Sequence, residues 1–259
     1  GSLERIALAK SELVQALPTD GVAILNGDDP LVRAMASQMK GDVLLYGHQR
    51  NFDLWADEVE SHGLQGIRLR LHRGKEAISL RIPLLGGHNV HTILAAAAVG
   101  LVEGLYWEEI GAGLSVTPEQ LRLVIAPGLH GVTLIDDTYN SSPASALAAL
   151  NLLAEMEGRR VAVLGDMLEL GDYEDEGHQQ VGRQAAQIVA RLVAVGPRGR
   201  LIGQAALDTG MEADGVAFAA NNAEAVAHLR GILQPGDYVL VKGSRGLKME
   251  EIVAQVREV

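Results

Sequence analysis

The chain has 259 residues, with 22 Lys+Arg against 33 Asp+Glu for a formal net charge of −11, and no cysteine. That balance excludes a general nucleic-acid or anionic-membrane surface, so an anionic ligand would need a local cationic pocket. The absence of cysteine excludes disulfides, thiolate metal sites and a thiol nucleophile.

A chain of this length buries a substantial core and favours two domains over one. Gly1-Ser2-Leu3-Glu4-Arg5 has no apolar core of the signal-peptide kind. The longest apolar run, Ile93 to Val102, falls short of the ~20 residues that a bilayer span needs, so a cytoplasmic protein with no membrane insertion is expected.

Apolar residues at helical spacing (Leu3, Ile6, Ala7, Leu13, Val14, Leu17) predict a first helix, stopped by Pro18-Thr19-Asp20-Gly21. Val22 to Leu25 reads as a buried strand. Asn26-Gly27-Asp28-Asp29-Pro30 then reads as a turn with a helix start, because Asp caps free amides and Pro suits a first helical turn. Runs at Phe52–Val59, Gly66–Leu71 and Ala77–Ile82 predict an antiparallel patch, followed by an Ala-rich helix from about Asn89 to Leu101.

Ala126-Pro127-Gly128 reads as a loop, and the pattern shifts there. Beyond it strands at Val132–Ile135, Arg160–Leu164, Leu192–Val195, Val216–Ala219 and Tyr238–Val241 alternate with helices at Pro143–Met156, Glu174–Ala190, Ala223–Leu233 and from about Leu247. Such alternation implies a mostly parallel sheet covered on both faces. The expected fold is therefore α/β in two domains, 1–129 and 130–259.

Chemistry-bearing residues gather where predicted strands end. Asp136-Asp137-Thr138-Tyr139-Asn140-Ser141-Ser142 places two carboxylates, a ring and a carboxamide at a strand-to-helix turn, where α/β sheets hold ligands; the same acids also suit caps and turns. Lys242-Gly243-Ser244-Arg245-Gly246 follows the last strand and forms either an anion site or a basic turn with solvated side chains. His88-Asn89 could contact a base or cap the next helix. Gly165-Asp166-Met167-Leu168-Glu169-Leu170-Gly171 sets two acids after another strand, and His178 lies on the helix beyond.

In this order the strings resemble the Mur ligases, and within them the branch that adds D-alanyl-D-alanine. Ala9-Lys10-Ser11-Glu12, Leu25-Asn26-Gly27-Asp28-Asp29-Pro30, Gly87-His88-Asn89, Asp136-Asp137-Thr138-Tyr139-Asn140, Gly165 to Gly171 and Lys242-Gly243-Ser244-Arg245 carry the likeness nearly end to end. The resemblance implies part of a central ATPase domain followed by a Rossmann-like C-terminal domain. It also implies ATP- and Mg²⁺-dependent joining of D-alanyl-D-alanine to UDP-N-acetylmuramoyl-tripeptide through an acyl phosphate, in peptidoglycan precursor synthesis, by a monomer.

By the same likeness Lys10 matches a carbamylated lysine that helps hold Mg²⁺, His88 and Asn89 approach the adenine, and Asp137 approaches the ribose, with Tyr139 and Asn140 beside the nucleotide. Arg122 would reach the γ-phosphate. Lys242, Ser244 and Arg245 would meet a phosphate or the dipeptide carboxylate, and Asp166, Glu169 and His178 would orient the amine or support the site.

The chain also departs from the family. Glu119-Gln120-Leu121-Arg122 replaces the usual Pro-Gly-Arg, and Thr92 replaces a second Asn. No Gly-x-x-x-x-Gly-Lys-Ser/Thr string occurs in the 259 residues. The expectation is the carboxy-terminal part of such a ligase, inactive alone. The alternatives are a non-catalytic binding or interaction module on the same scaffold, or a related amide ligase of folate or cyanophycin type, against which the Asp-Asp-x-Tyr-Asn string argues.

Overall fold

The computed structural model describes residues 2–116 and 123–258, and of His88 the backbone only. Arg122 lies outside the described residues. The chain divides into two compact units, Gly1–Thr117 and Pro118–Val259.

The first unit is built on a five-stranded sheet of β1 (Val22–Asn26), β2 (Asp42–Gly47), β3 (Leu54–Ser61), β4 (Ile67–Arg73) and β5 (Glu76–Ile82), in that spatial order. β1, β2 and β3 run parallel, whereas β3, β4 and β5 form the expected antiparallel patch. Side chains alternate across β1. Val22 and Ile24 therefore join the core under α3 (Val90–Val102) and α4 (Trp107–Ser115), while Ala23 and Leu25 join Val14 of α1 (Leu3–Gln15) and Met35. Asp29 caps α2 (Pro30–Ala34) by accepting from the amides of Leu31 and Val32, with Pro30 in its first turn as expected.

The second unit holds a six-stranded sheet. Its strands are β6 (Val124–Gly128), β7 (Val132–Asp137), β8 (Arg160–Gly165), β9 (Arg191–Val195), β10 (Val216–Ala219) and β11 (Tyr238–Lys242). The order is β10-β9-β8-β11-β7-β6, with every pairing parallel except β6 with β7. Val161, Val163, Val193, Val195, Val239 and Val241 pack on α8 (Asn222–Ile232) and α9 (Glu250–Val256). Their sequence neighbours Ala162, Leu164, Leu192, Ala194 and Leu240 are equally buried. Burial on both faces is why these strands read as unbroken apolar runs. The chain α5 (Pro143–Ala154), α6 (Glu174–Ile188) and α7 (Gly196–Asp208) forms the other helical layer, α6 touching both of its neighbours.

Some elements differ from what periodicity predicts. Ala126-Pro127-Gly128 is strand, not loop: β6 is an edge strand, where a residue without an N–H is tolerated. The carbonyl of Pro127 accepts from the Glu258 amide at 3.0 Å, and Gly128 bridges Arg257. β2, α4 and α7 are additional elements. Glycines lower the intrinsic helicity of α4 and α7, and packing of α7 on α6, β9 and β10 compensates for it.

Candidate functional site

The carboxyl ends of β7, β11 and β8 lie side by side, and three loops converge there. Lys242 and Asp137 are register partners at the ends of β11 and β7. The Lys242 ammonium donates to Asp137 Oδ2 at 2.6 Å and to the Asn140 carbonyl at 2.9 Å. Only 2% of the Lys242 side chain is exposed, so its ammonium is not solvated as a basic turn would have it. A buried ammonium is tolerated only when paired and hydrogen-bonded, and this pair ties the 138–142 turn to the neighbouring strand. The adjacent carboxylate closes the turn instead, as Asp136 Oδ1 accepts from the Thr138 amide at 3.1 Å and its hydroxyl at 2.7 Å. Asn140 Oδ1 accepts from the Ser141 amide, and Ser142 caps α5.

Ser244 joins the three loops. Its amide donates to the Asp166 carbonyl at 2.9 Å, its hydroxyl accepts from the Leu168 amide at 2.8 Å, and the same hydroxyl faces the Ser141 carbonyl at 3.4 Å. The Asp166 carboxylate is buried at the start of α7, where Oδ1 accepts from the amides of Arg198 at 2.9 Å and Gly199 at 2.7 Å. A carboxylate at a helix N-terminus satisfies orphan donors and offsets the dipole. Gly196 makes room for it: φ is +89°, and an added Cβ would sit 2.5 Å from Asp166 Oδ1.

His178 is fully buried, and both of its ring nitrogens are engaged. Nε2 accepts from the Met167 amide at 2.9 Å, so Nδ1 carries the proton and donates to the Glu174 carbonyl at 2.6 Å. Glu169 is exposed with φ +66°, a left-handed conformation costing ~1–2 kcal/mol in a residue with a Cβ.

Tyr139 presents an exposed ring, and the Arg245 guanidinium lies 5.8 Å from its centroid with 67% of that side chain exposed. The second unit thus brings together Asp137, Asn140, Lys242, Ser244 and Asp166 around one sheet edge, with Tyr139 and Arg245 outward. In the first unit, His88 and Asn89 form the turn entering α3. The Asn89 side chain does not cap that helix: it donates to the Leu85 carbonyl at 2.7 Å and accepts from Thr92 at 3.4 Å. Lys10 is exposed on α1. Among the described residues, Asp28, His48 and His91 form a group of histidine and carboxylate side chains that could hold a metal.

That trio escapes sequence reasoning because its members are 20 and 43 residues apart. Asp28 Oδ2 accepts from His48 Nδ1 at 2.8 Å, the His48 amide at 2.9 Å and His91 Nε2 at 3.0 Å. Partial burial pushes the Asp28 carboxyl upward, but the bonds from His48 and His91 outweigh it and hold the group below its ordinary value. The available signal was weak: the Asn-Gly-Asp-Asp turn after a strand, and two isolated histidines.

Two family models match the chain: the Mur ligase middle domain over residues 1–100 and the Mur ligase glutamate ligase domain over residues 121–245. The UDP-N-acetylmuramoyl-tripeptide–D-alanyl-D-alanine ligase of Mycobacterium tuberculosis is 38% identical over 268 residues, covering 94% of this chain and 52% of that protein. The crystal structure of MurF from Acinetobacter baumannii superposes with a TM-score of 0.83 at 32% identity, over 96% of this chain and 54% of that one. MurF from Thermotoga maritima, solved in complex with ADP, shares the fold with a TM-score of 0.77 at 20% identity, over 98% of this chain and 57% of that one. The chain spans about half the length of the relatives it matches. Two consecutive family domains and these likenesses show that the chain belongs to the Mur ligase family, to its MurF members, and contains their middle and C-terminal domains.

Proposed function

We propose that the chain supplies the middle and C-terminal domains of a cytoplasmic, ATP-dependent ligase that joins D-alanyl-D-alanine to UDP-N-acetylmuramoyl-tripeptide, and that these 259 residues alone do not turn over. The observation that carries the reading is the convergence of Asp137, Asn140, Lys242 and Ser244 at the carboxyl edge of a parallel sheet, where such folds bind ligands. The ADP-bound relative from Thermotoga maritima supports a nucleotide as one occupant.

A carboxylate is a poor electrophile, and ATP supplies the γ-phosphoryl that converts it into an acyl phosphate. The dipeptide amine then attacks, forming the amide bond and expelling phosphate. Such chemistry depends on positioning and on cations that offset phosphoryl charge. In this reading Lys242 is a positioning residue, its charge held by Asp137, and it fixes the turn bearing Tyr139 and Asn140. Arg245 is the outward cation for a phosphate or the dipeptide carboxylate, and the exposed Tyr139 ring beside it suits a planar base or sugar. Asp166 and His178 hold the loop that carries Glu169. Lys10, if carbamylated, would carry a carboxylate able to help hold Mg²⁺, whose charge would offset that of the phosphoryl oxygens.

The test is a backbone NMR titration of the chain with ADP and then with D-alanyl-D-alanine, alongside phosphate release with ATP and both substrates. Shifts at 137–142 and 242–247 without turnover are expected. Turnover by this chain, or no shift in either segment with either ligand, overturns the reading.

A further inference from the structure

We propose that Asp28, His48 and His91 form a binding site for a divalent transition-metal ion of the Zn²⁺ type, with three protein ligands and an open fourth position. The site belongs to the first unit and is independent of the ligase reading.

The three side chains come from separate segments: the turn after β1, the residue after β2, and the first turn of α3. Their candidate ligand atoms all lie within 4.8 Å of one another. The two rings do not stack: their centroids are 4.9 Å apart at 70°, and each turns one nitrogen toward the same carboxylate oxygen. Asp28 is set in place before either imidazole is considered. Its amide donates to Asn26 Oδ1 at 3.0 Å, and its carboxylate fills the space that a Cβ at Gly47 would occupy, 2.6 Å from Oδ2.

Three N–H donors converge on Oδ2, more than an oxygen with two lone pairs can serve well. An ion in place of the two imidazole protons resolves this crowding and engages all three groups directly. Bonds of ~2.0–2.2 Å in a tetrahedral site place ligand atoms ~3.3 Å apart. The observed 2.8 and 3.0 Å separations need to widen by a few tenths of an ångström, and the two imidazole nitrogens, within 4.8 Å of each other, need to settle at the same spacing; with 48% of the His48 side chain exposed there is room to move. The same exposure leaves the fourth position to water or an oxyanion. Two imidazoles and one carboxylate favour Zn²⁺, Ni²⁺ or Cu²⁺ over Mg²⁺, which takes an all-oxygen shell. A bound ion would also pin the start of α3, just beyond Asn89, to the carboxyl ends of β1 and β2.

The metal-free chain is titrated with Zn²⁺ by calorimetry and with Co²⁺ by visible absorption. One equivalent is expected, with the intense d–d bands of a four-coordinate imidazole site and a raised Tm, undisturbed by excess Mg²⁺. His48→Ala and His91→Ala should each weaken Zn²⁺ binding about 100-fold or more, since even the outer partners of metal ligands cost about 10- to 100-fold. Asp28→Asn should do likewise. His62→Ala, at an exposed histidine paired with Glu60, should change nothing. Because His48 is half exposed, its variant keeps the fold, and circular dichroism checks this. Absence of saturable binding, octahedral Co²⁺ spectra, or equal binding by wild type and both histidine variants overturns the proposal and leaves the trio a hydrogen-bonded cluster.

Discussion

Lys242 Nζ and Asp137 Oδ2 meet at 2.6 Å across two neighbouring parallel strands, and the ammonium is the more deeply buried partner, with 2% of its side chain exposed against 14%. Removing one member of a buried pair costs ~3–5 kcal/mol when the other charge is left in the interior. Asp137→Asn should therefore lower unfolding free energy by about 3 kcal/mol. Lys242→Met should cost less, about 1–2 kcal/mol, because the remaining carboxylate can reach water. Urea denaturation at neutral pH measures both, and equal costs or the reverse ranking would contradict this account.

Arg245 should behave in the opposite way. Its side chain is largely exposed and only loosely paired with Glu250 at 3.7 Å, so Arg245→Ala should alter stability by no more than about 0.5 kcal/mol. Affinity for an anionic ligand at this edge should fall about tenfold or more, the value of a charge-assisted hydrogen bond. Arg245→Lys should recover part of it. Calorimetric titration with ADP and with D-alanyl-D-alanine separates these outcomes, and unchanged affinity for both would remove Arg245 from the site.

For Asp166 the expected effect is on the fold. Two α7 amides lose their acceptor in Asp166→Ala, at a cost of about 1–2 kcal/mol, whereas Asp166→Asn keeps an oxygen there and should lose less than half of that. Amide exchange at Arg198 and Gly199 should accelerate in the alanine variant. Unaltered protection at both positions would mean that the carboxylate is not their acceptor.

The His178 ring should be a single neutral tautomer. Ring ¹⁵N shifts are expected to show Nδ1 protonated and Nε2 bare, because the Met167 amide donates to Nε2. His178→Ala leaves that buried amide without its partner, at a cost of about 1–3 kcal/mol beyond the lost packing. A proton found on Nε2 would refute the assignment.

Much of the architecture was legible because the β7 to β11 strands are short apolar runs separated by amphipathic helices, a pattern with few topological solutions. α7 was not, since Gly196, Gly199 and Gly203 dilute its periodicity and its stability comes from neighbours far along the chain. Pro127 misled for a local reason: its turn propensity carried no information that the strand would lie at an edge. The 137–142 and 242–245 segments were legible as site candidates from their place after strands. That Lys242 is buried against Asp137 was not, because a strand-end lysine reads identically whether its ammonium faces water or a carboxylate 105 residues away. Asp28, His48 and His91 show the same limit, since nothing in their spacing announces a shared oxygen.

The C-terminal residues lying along β6 bear on how molecules of this protein meet one another. An uncovered outer strand offers a ready template on which a second polypeptide can zip. Here Pro127 removes one donor from that rim, Glu258 occupies its carbonyl, and the Gly128–Arg257 bridge covers the next position. Removing Arg257 and Glu258 should therefore reopen this rim and favour self-association, which sedimentation would reveal.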